Sequence, residues 1–133
     1  MFSLEIVERS PENPEVDAVA KISIGSYSER FGVCFLPDGE KATIENWREE
    51  LSQLVDGVGF ASIRSQPLMA WILYQEGDAV IVQQHCLVEE WEGELDDNGH
   101  IVRVPARTSS SADGVRVSEW TTTLDAIRSF LSH

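Results

Sequence analysis

An α+β fold, one curved and mostly antiparallel sheet of about six to eight strands with two helices packed on one face, is predicted by three features of this 133-residue sequence. Most of its apolar residues alternate with polar ones at the period of a strand, and only two stretches recur at helical spacing. The dipeptide Gly77-Asp78 joins two apolar runs, and strands joined by a two-residue turn are antiparallel neighbours. The middle of the chain is therefore a meander rather than a series of parallel crossovers.

Taken in order, Phe2 to Glu8 sets Phe2, Leu4 and Ile6 against Ser3 and Glu5, and Ser10-Pro-Glu-Asn-Pro14 breaks it. From Asp17, Ala18, Ala20, Ile22 and Ile24 share one face of a second strand that stops at Gly25-Ser26. Tyr27 to Leu36 repeats the alternation, and Pro37-Asp38-Gly39 turns the chain. The first helix has Thr43 as its expected N-cap, Glu45 suited to its dipole, a stripe of Ile44, Trp47, Leu51 and Val55, and Gly57 as its stop. Strands are expected over Val58 to Arg64, Met69 to Gln75 and Ala79 to Val88. Ala79-Val-Ile-Val82 is apolar on both faces, the pattern of a strand covered on each side. Asn98-Gly99 is a second hairpin signal before a short strand, Ile101 to Val104, and Arg107 to Asp113 reads as an exposed loop. Val115 to Trp120 is the last expected strand. Thr122 then caps a helix striped by Leu124, Ile127, Phe130 and Leu131, with Trp47 and Phe130 filling the space between helices and sheet. No linker divides the chain, so residues 1–133 read as a single domain.

Composition narrows the function. Ten bases against 23 acids give a net charge of -13, which repels phosphate backbones, so neither a nucleic acid nor an anionic membrane is an expected partner. No run approaches the roughly 18 apolar residues of a membrane span. Met1 to Ser10 has neither a basic nor an apolar leader region, and Cys34 and Cys86 lie far apart, so the expectation is a cytoplasmic chain with reduced thiols. The charge is also uneven. Ser65 to Val102 holds eight acids and no Lys or Arg, leaving fifteen acids and ten bases for the other 95 residues.

Catalytic patterns are sparse. His85 and Cys86 are adjacent on a strand and point to opposite faces, which prevents a nucleophile and base pair there. Neither metal-ligand spacings nor phosphate-binding glycine motifs occur, and no cofactor is expected. Asp96-Asp97-Asn98-Gly99 carries oxygen ligands but lacks the spacing of a calcium loop, and a hairpin turn explains it. Trp47 and Trp71 fall at apolar positions and read as scaffold rather than as a stacking platform.

The segment that stands out is Glu89-Glu90-Trp91-Glu92-Gly93-Glu94-Leu95-Asp96-Asp97. If it continues the preceding strand, Glu90, Glu92, Glu94 and Asp96 project from one face at intervals of about 6.8 Å, with Trp91 and Leu95 on the other. Such a comb of carboxylates would engage Lys and Arg side chains of a protein that grips nucleic acid, with Trp91 as an aromatic anchor. Glu89, Glu90, Trp91, Glu92, Glu94, Asp96 and Asp97 are the expected partner-binding residues. The same charges on an edge strand would also serve solubility and block edge-to-edge association, and Trp91 could equally face the core.

The order of motifs resembles a group of small acidic bacterial immunity proteins, the antidotes encoded beside polymorphic and contact-dependent inhibition toxins. The likeness is carried by Ala20-Lys-Ile-Ser-Ile-Gly-Ser-Tyr-Ser-Glu-Arg-Phe31, by Trp47, by Leu73-Tyr74 ahead of Glu76-Gly77-Asp78, and by Ser118-Glu-Trp120 leading into Ile127, Phe130 and Leu131. It spans Ala20 to Leu131 and is weakest from Glu89 to Asp113, so no contact residue is carried over from the family. The resemblance implies a non-enzymatic protein that binds and blocks a cognate toxin domain. The charge of this chain implies that the toxin is basic, a nuclease being one such class. A hydrolytic or small-molecule-binding site within the curved sheet, using carboxylates with His85 or His100, is the alternative. Either a monomer or a weak homodimer is compatible with the sequence.

Overall fold

In the computed structural model, residues 1–87, 91–97, 100–108 and 117–133 are described. The chain opens with β1 (Phe2–Glu8), β2 (Ala18–Ile24) and β3 (Tyr27–Val33), an antiparallel sheet in that order. Helix α1 (Glu40–Gln53) follows and ends in a π-helical turn, Leu54–Val58. Then come β4 (Phe60–Gln66), β5 (Met69–Glu76) and β6 (Ala79–Cys86), the short pair β7 (Glu94–Leu95) and β8 (Ile101–Arg103), β9 (Trp120–Thr123), and α2 (Leu124–Leu131). The second sheet has the order β4-β5-β6-β9, and its pairings are antiparallel throughout.

The fold class is the expected α+β, with its sheet not closed into a barrel. The strands divide into sheets of three and four, with β7–β8 as a separate pair, and at the β3–β4 junction the Cys34 amide donates to the Ser65 carbonyl at 2.8 Å. The boundaries that moved have local causes. Gly39, at φ 95°, rather than Thr43, is the α1 N-cap residue, because only the glycine turns tightly enough out of the Leu36–Gly39 bridge. Thr43 still ties down the helix start: its hydroxyl donates to the Gly39 carbonyl and accepts from the Leu36 amide, both at 2.9 Å. Gly57 (φ 105°) and Gly59 (φ 95°) unwind the end of α1 and delay β4 to Phe60. At the C-terminal end, the expected strand to Trp120 lies instead at Trp120–Thr123, registered on Ala79–Val82 of β6. The α2 cap accordingly moves from Thr122 to Thr123, whose hydroxyl accepts the Ala126 amide at 3.1 Å. Residues 115–116 of that expected strand, Val88 of the expected β6 strand, and Asn98-Gly99 lie outside the described residues.

One main core sits between the sheets and the helices. β1 and β2 supply Phe2, Leu4, Ala20 and Ile22, α1 supplies Trp47 and Leu51, α2 supplies Leu124 and Ile127, and the second sheet supplies Ile63, Trp71, Leu73 and Val80. Side chains of this size each contribute roughly 1.5–3 kcal/mol on burial. Polar contacts fix the helices in place. The Trp47 indole donates to the Arg64 carbonyl at 3.2 Å, the Arg48 guanidinium donates to the Leu131 carbonyl and lies 5.2 Å from the Phe130 ring, and Phe130 meets Phe2 edge-on at 5.5 Å.

β5 and β6 are buried on their other face as well. Ala70, Ile72, Tyr74 and Ile81 form a second cluster with Leu87, and Trp91, Ile101 and Val104 pack against it. The apolar run read from Ala79 to Val82 is thus divided between two layers, Val80 and Val82 inward and Ile81 outward.

Replacing Leu51, which is fully buried, by alanine is expected to lower the unfolding free energy by about 2–5 kcal/mol, whereas Thr123→Ala should cost about 1 kcal/mol. Urea denaturation measures both, and a Leu51→Ala cost no larger than that of Thr123→Ala would contradict this account of the core.

Candidate partner-binding face

The acidic segment is placed by the need to cover the outer face of β5 and β6. β6 stops at Cys86, and the Leu87 amide donates to the Leu68 carbonyl at 2.7 Å. The arm returns as the β7–β8 hairpin, in which Glu94 faces Arg103, Leu95 faces Ile101, and the Asp96 amide donates to the His100 carbonyl at 2.8 Å. Among the described residues of the acidic run, only Glu94–Leu95 is strand. The continuous strand assumed for the comb is interrupted among the described residues, since β6 ends at Cys86 and the pairing shifts register between Glu94 and Leu95.

Each expected binding residue has a definite place except Glu89 and Glu90, which lie outside the described residues. Glu92, Glu94, Asp96 and Asp97 are exposed. Leu95, expected on the face opposite the comb, is 43% exposed. Arg103 Nε lies 3.6 Å from Glu94 Oε2, and Asp96 accepts the His100 amide at 2.9 Å with His100 Nδ1 at 3.4 Å. Exposed ion pairs of this kind contribute about 0–1 kcal/mol, so they leave the carboxylates open to a stronger partner.

Trp91 takes the inward alternative. Half-buried, it packs on the second cluster, and its indole donates to His85 Nδ1 at 3.3 Å. Its ring lies over Gly93, where a Cβ would come within 2.1 Å of it. A side chain at position 93 would therefore have to push the ring aside.

From Trp91 a chain of polar contacts runs across the sheet face. His85 Nδ1 accepts from Trp91, so the other ring nitrogen carries the hydrogen and donates to Gln83 Oε1 at 2.9 Å. Gln83, 1% exposed, donates from Nε2 to the Thr108 carbonyl at 2.9 Å and to Glu119 Oε1 at 2.7 Å. Arg107 grips both Glu119 oxygens, at 2.9 and 2.8 Å, and reaches Glu76 at 3.0 Å. Two-pronged carboxylate contacts are among the strongest charge-assisted hydrogen bonds, and the bond to Glu119 raises the Arg107 pKa further. Tyr74 donates to the Pro105 carbonyl at 3.1 Å, and burial pushes its pKa up to about 12. Arg107 and Thr108, expected in an open loop, instead clamp the returning chain. Ser109 to Asp113 lie outside the described residues.

Trp91 and His85 stood out in the sequence for other roles, whereas Gln83, Arg107 and Glu119 did not. A signal was present: Gln83 and His85 continue the same strand face as Ile81, so polar groups replace apolar ones on a covered surface, and Arg107 follows soon after a stretch without bases. Cysteine chemistry has no geometry to support it among the described residues. His85 is engaged by Gln83 and Trp91, while Cys86 Sγ lies 3.4 Å from Met69 Sδ and Cys34 Sγ 3.5 Å from the Glu15 carbonyl. Among the described residues no group of three or more His, Cys, Asp or Glu is placed to hold a metal ion, and no helix is long and apolar enough to cross a membrane.

Residues 40–130, from the first residue of α1 almost to the end of α2, match the family described as the CdiI N-terminal domain. The chain belongs to that family. A solved chain from the CdiA-CT/CdiI toxin and immunity complex of Enterobacter cloacae has the same fold as this family member, with a TM-score of 0.77 over 99% of this chain and 97% of that one, at 21% sequence identity. No curated protein matches the sequence.

Burial lowers the His85 pKa below its ordinary 6.5, so between these two values the unfolded chain binds the proton more readily than the folded one. The stability that neutral His85 contributes is therefore complete above pH 6.5 and declines as pH falls toward the lowered value. Urea midpoints are expected to drop between pH 7.5 and 5.5 by more in the wild type than in His85→Gln; equal drops would refute the assignment. Gly93→Ala should displace Trp91 from the sheet and raise its fluorescence quenching by acrylamide, an effect that unchanged quenching would exclude.

Proposed function

We propose that the chain is an immunity protein that neutralises a basic toxin domain by binding it, with the acidic arm as the surface that attracts it. Membership of the CdiI N-terminal domain family supports the immunity reading, as does the shared fold with a chain from a toxin and immunity complex. The observation that carries the charge reading is the position of the arm: Glu92, Glu94, Asp96 and Asp97 stay exposed while Trp91 packs the same segment on the sheet, and the Tyr74–Pro105 and Arg107–Glu119 bonds fasten the chain that follows it. Fixed carboxylates attract without first having to be ordered, and opposite charges raise association rates to about 10⁸ M⁻¹s⁻¹ or more at low salt. The toxin would therefore present lysines and arginines, as a nuclease does to its own substrate. Inhibition follows from occupancy, so no catalytic group is required of this chain.

The test is co-expression with the C-terminal toxin domain encoded beside this reading frame. Growth should be restored by this chain, and continued killing would exclude the immunity role. In stopped-flow binding at low salt, the combined change Glu92→Gln, Glu94→Gln, Asp96→Asn and Asp97→Asn is expected to slow association about tenfold and flatten its salt dependence. An unaltered rate would remove the arm from the mechanism and leave the immunity role standing.

A further inference from the structure

A cleft of about 530 Å³ opens on another part of the surface, between α1 and β4, bounded by the Cys34–Pro37 segment and, at one end, by His100 and Ile101 of the hairpin. Its volume is in the range that holds a small ligand or a long side chain with its flanking backbone. The α1 wall is built by helical periodicity. Asn46, Glu49, Glu50 and Gln53 fall at i, i+3, i+4 and i+7, forming one polar stripe beside the apolar stripe of Trp47, Leu51 and Leu54 that enters the core. Phe35 and Leu36 supply an apolar wall.

The chemistry of these walls selects a cation. Glu50 is held in place, its Oε1 accepting the Ser62 amide at 3.0 Å and the Ser62 hydroxyl at 2.8 Å, and among the described residues no donor reaches its Oε2. Glu49, one turn after Asn46 on the stripe, is exposed. Arg64, the one arginine or lysine lining the cleft, donates to the Pro67 carbonyl. The cleft therefore offers two carboxylates and the amide oxygens of Asn46 and Gln53, next to a surface suited to a methylene stem. A planar guanidinium with five donors and an apolar stem matches that set better than a compact ammonium. We infer that this cleft is a socket for an arginine side chain of the toxin, a second contact adjoining the acidic arm through His100 and Ile101. The inference rests on the immunity reading and adds the residue type that the toxin must present.

Two measurements test it. In ¹H–¹⁵N spectra of the free protein, N-acetyl-L-arginine amide should shift the Trp47 indole and Ser62 amide signals saturably, N-acetyl-L-lysine amide more weakly, and N-acetyl-L-glutamate not at all. Glu49→Arg should weaken the arginine response at least fivefold at an unchanged Tm. Shifts that are absent, scattered over the surface or equal for arginine and glutamate overturn the socket. With the toxin domain, Glu49→Arg combined with Asn46→Arg should weaken binding at least tenfold. If the wild type binds and this variant binds equally well, the socket is wrong and the immunity reading survives. If the wild type itself does not bind, the immunity reading fails, and with it the socket as a toxin contact, whatever the arginine probe shows.

Discussion

Two strands with apolar side chains on both faces impose the organisation of this molecule. β5 and β6 turn Trp71, Leu73, Val80 and Val82 toward the helices and Ile72, Tyr74 and Ile81 away from them. The helices can cover only the first set. The second needs a layer of its own, and the chain provides it by returning residues 91–108 across the sheet. That return is why an unusually acidic segment ends up fixed against the scaffold instead of trailing from it. Charge and packing are thus properties of the same stretch, divided between its two sides: Trp91, Ile101 and Val104 on the sheet, and Glu92, Glu94, Asp96 and Asp97 in water.

The outer layer is thin, and its apolar area is modest beside that of the main core. What makes it specific is a set of polar contacts that can be satisfied in only one arrangement. Gln83 is nearly inaccessible to solvent, and a buried amide left without partners costs about 1–3 kcal/mol. It is satisfied by His85, Thr108 and Glu119 together, and Glu119 is in turn held by Arg107. A shift of the returning chain by one residue would leave several of these groups unpaired at once. The main core contains one contrasting site: the Trp71 indole N–H is buried with no acceptor among the described residues, its ring 5.7 Å from Phe31 and 5.8 Å from Trp120. There the large apolar contact offsets a polar loss.

The parts of the fold governed by local pattern were legible in the amino-acid sequence. Alternation located β1, β2, β5 and most of β6, and the helical stripes of α1 and α2 gave the residues that enter the core. Boundaries were less legible where a glycine with positive φ governs them, as at Gly39 and Gly57, because periodicity does not report backbone angles. The acidic segment was recognisable by composition but not by geometry. Reading it as a strand assumed that β6 continued, whereas its course follows the packing of Trp91 on the outer face of the sheet, and the residues after it are tied to Tyr74 and Gln83, 31 and 25 positions from their partners. Arg107 was hidden for the same reason, since its partners Glu76 and Glu119 lie 31 and 12 positions away.

The way the arm is fastened has a consequence for substitution. Its attachment points, the ring of Trp91 above Gly93, the Tyr74 hydroxyl and the Arg107 fork, are separate residues from the carboxylates at its exposed edge. Substitutions at that edge remove little from folding, so its charge can change while the framework holds. Substitutions at the attachment points would loosen the arm, so the surface charge and the seating of this stretch are set by different residues.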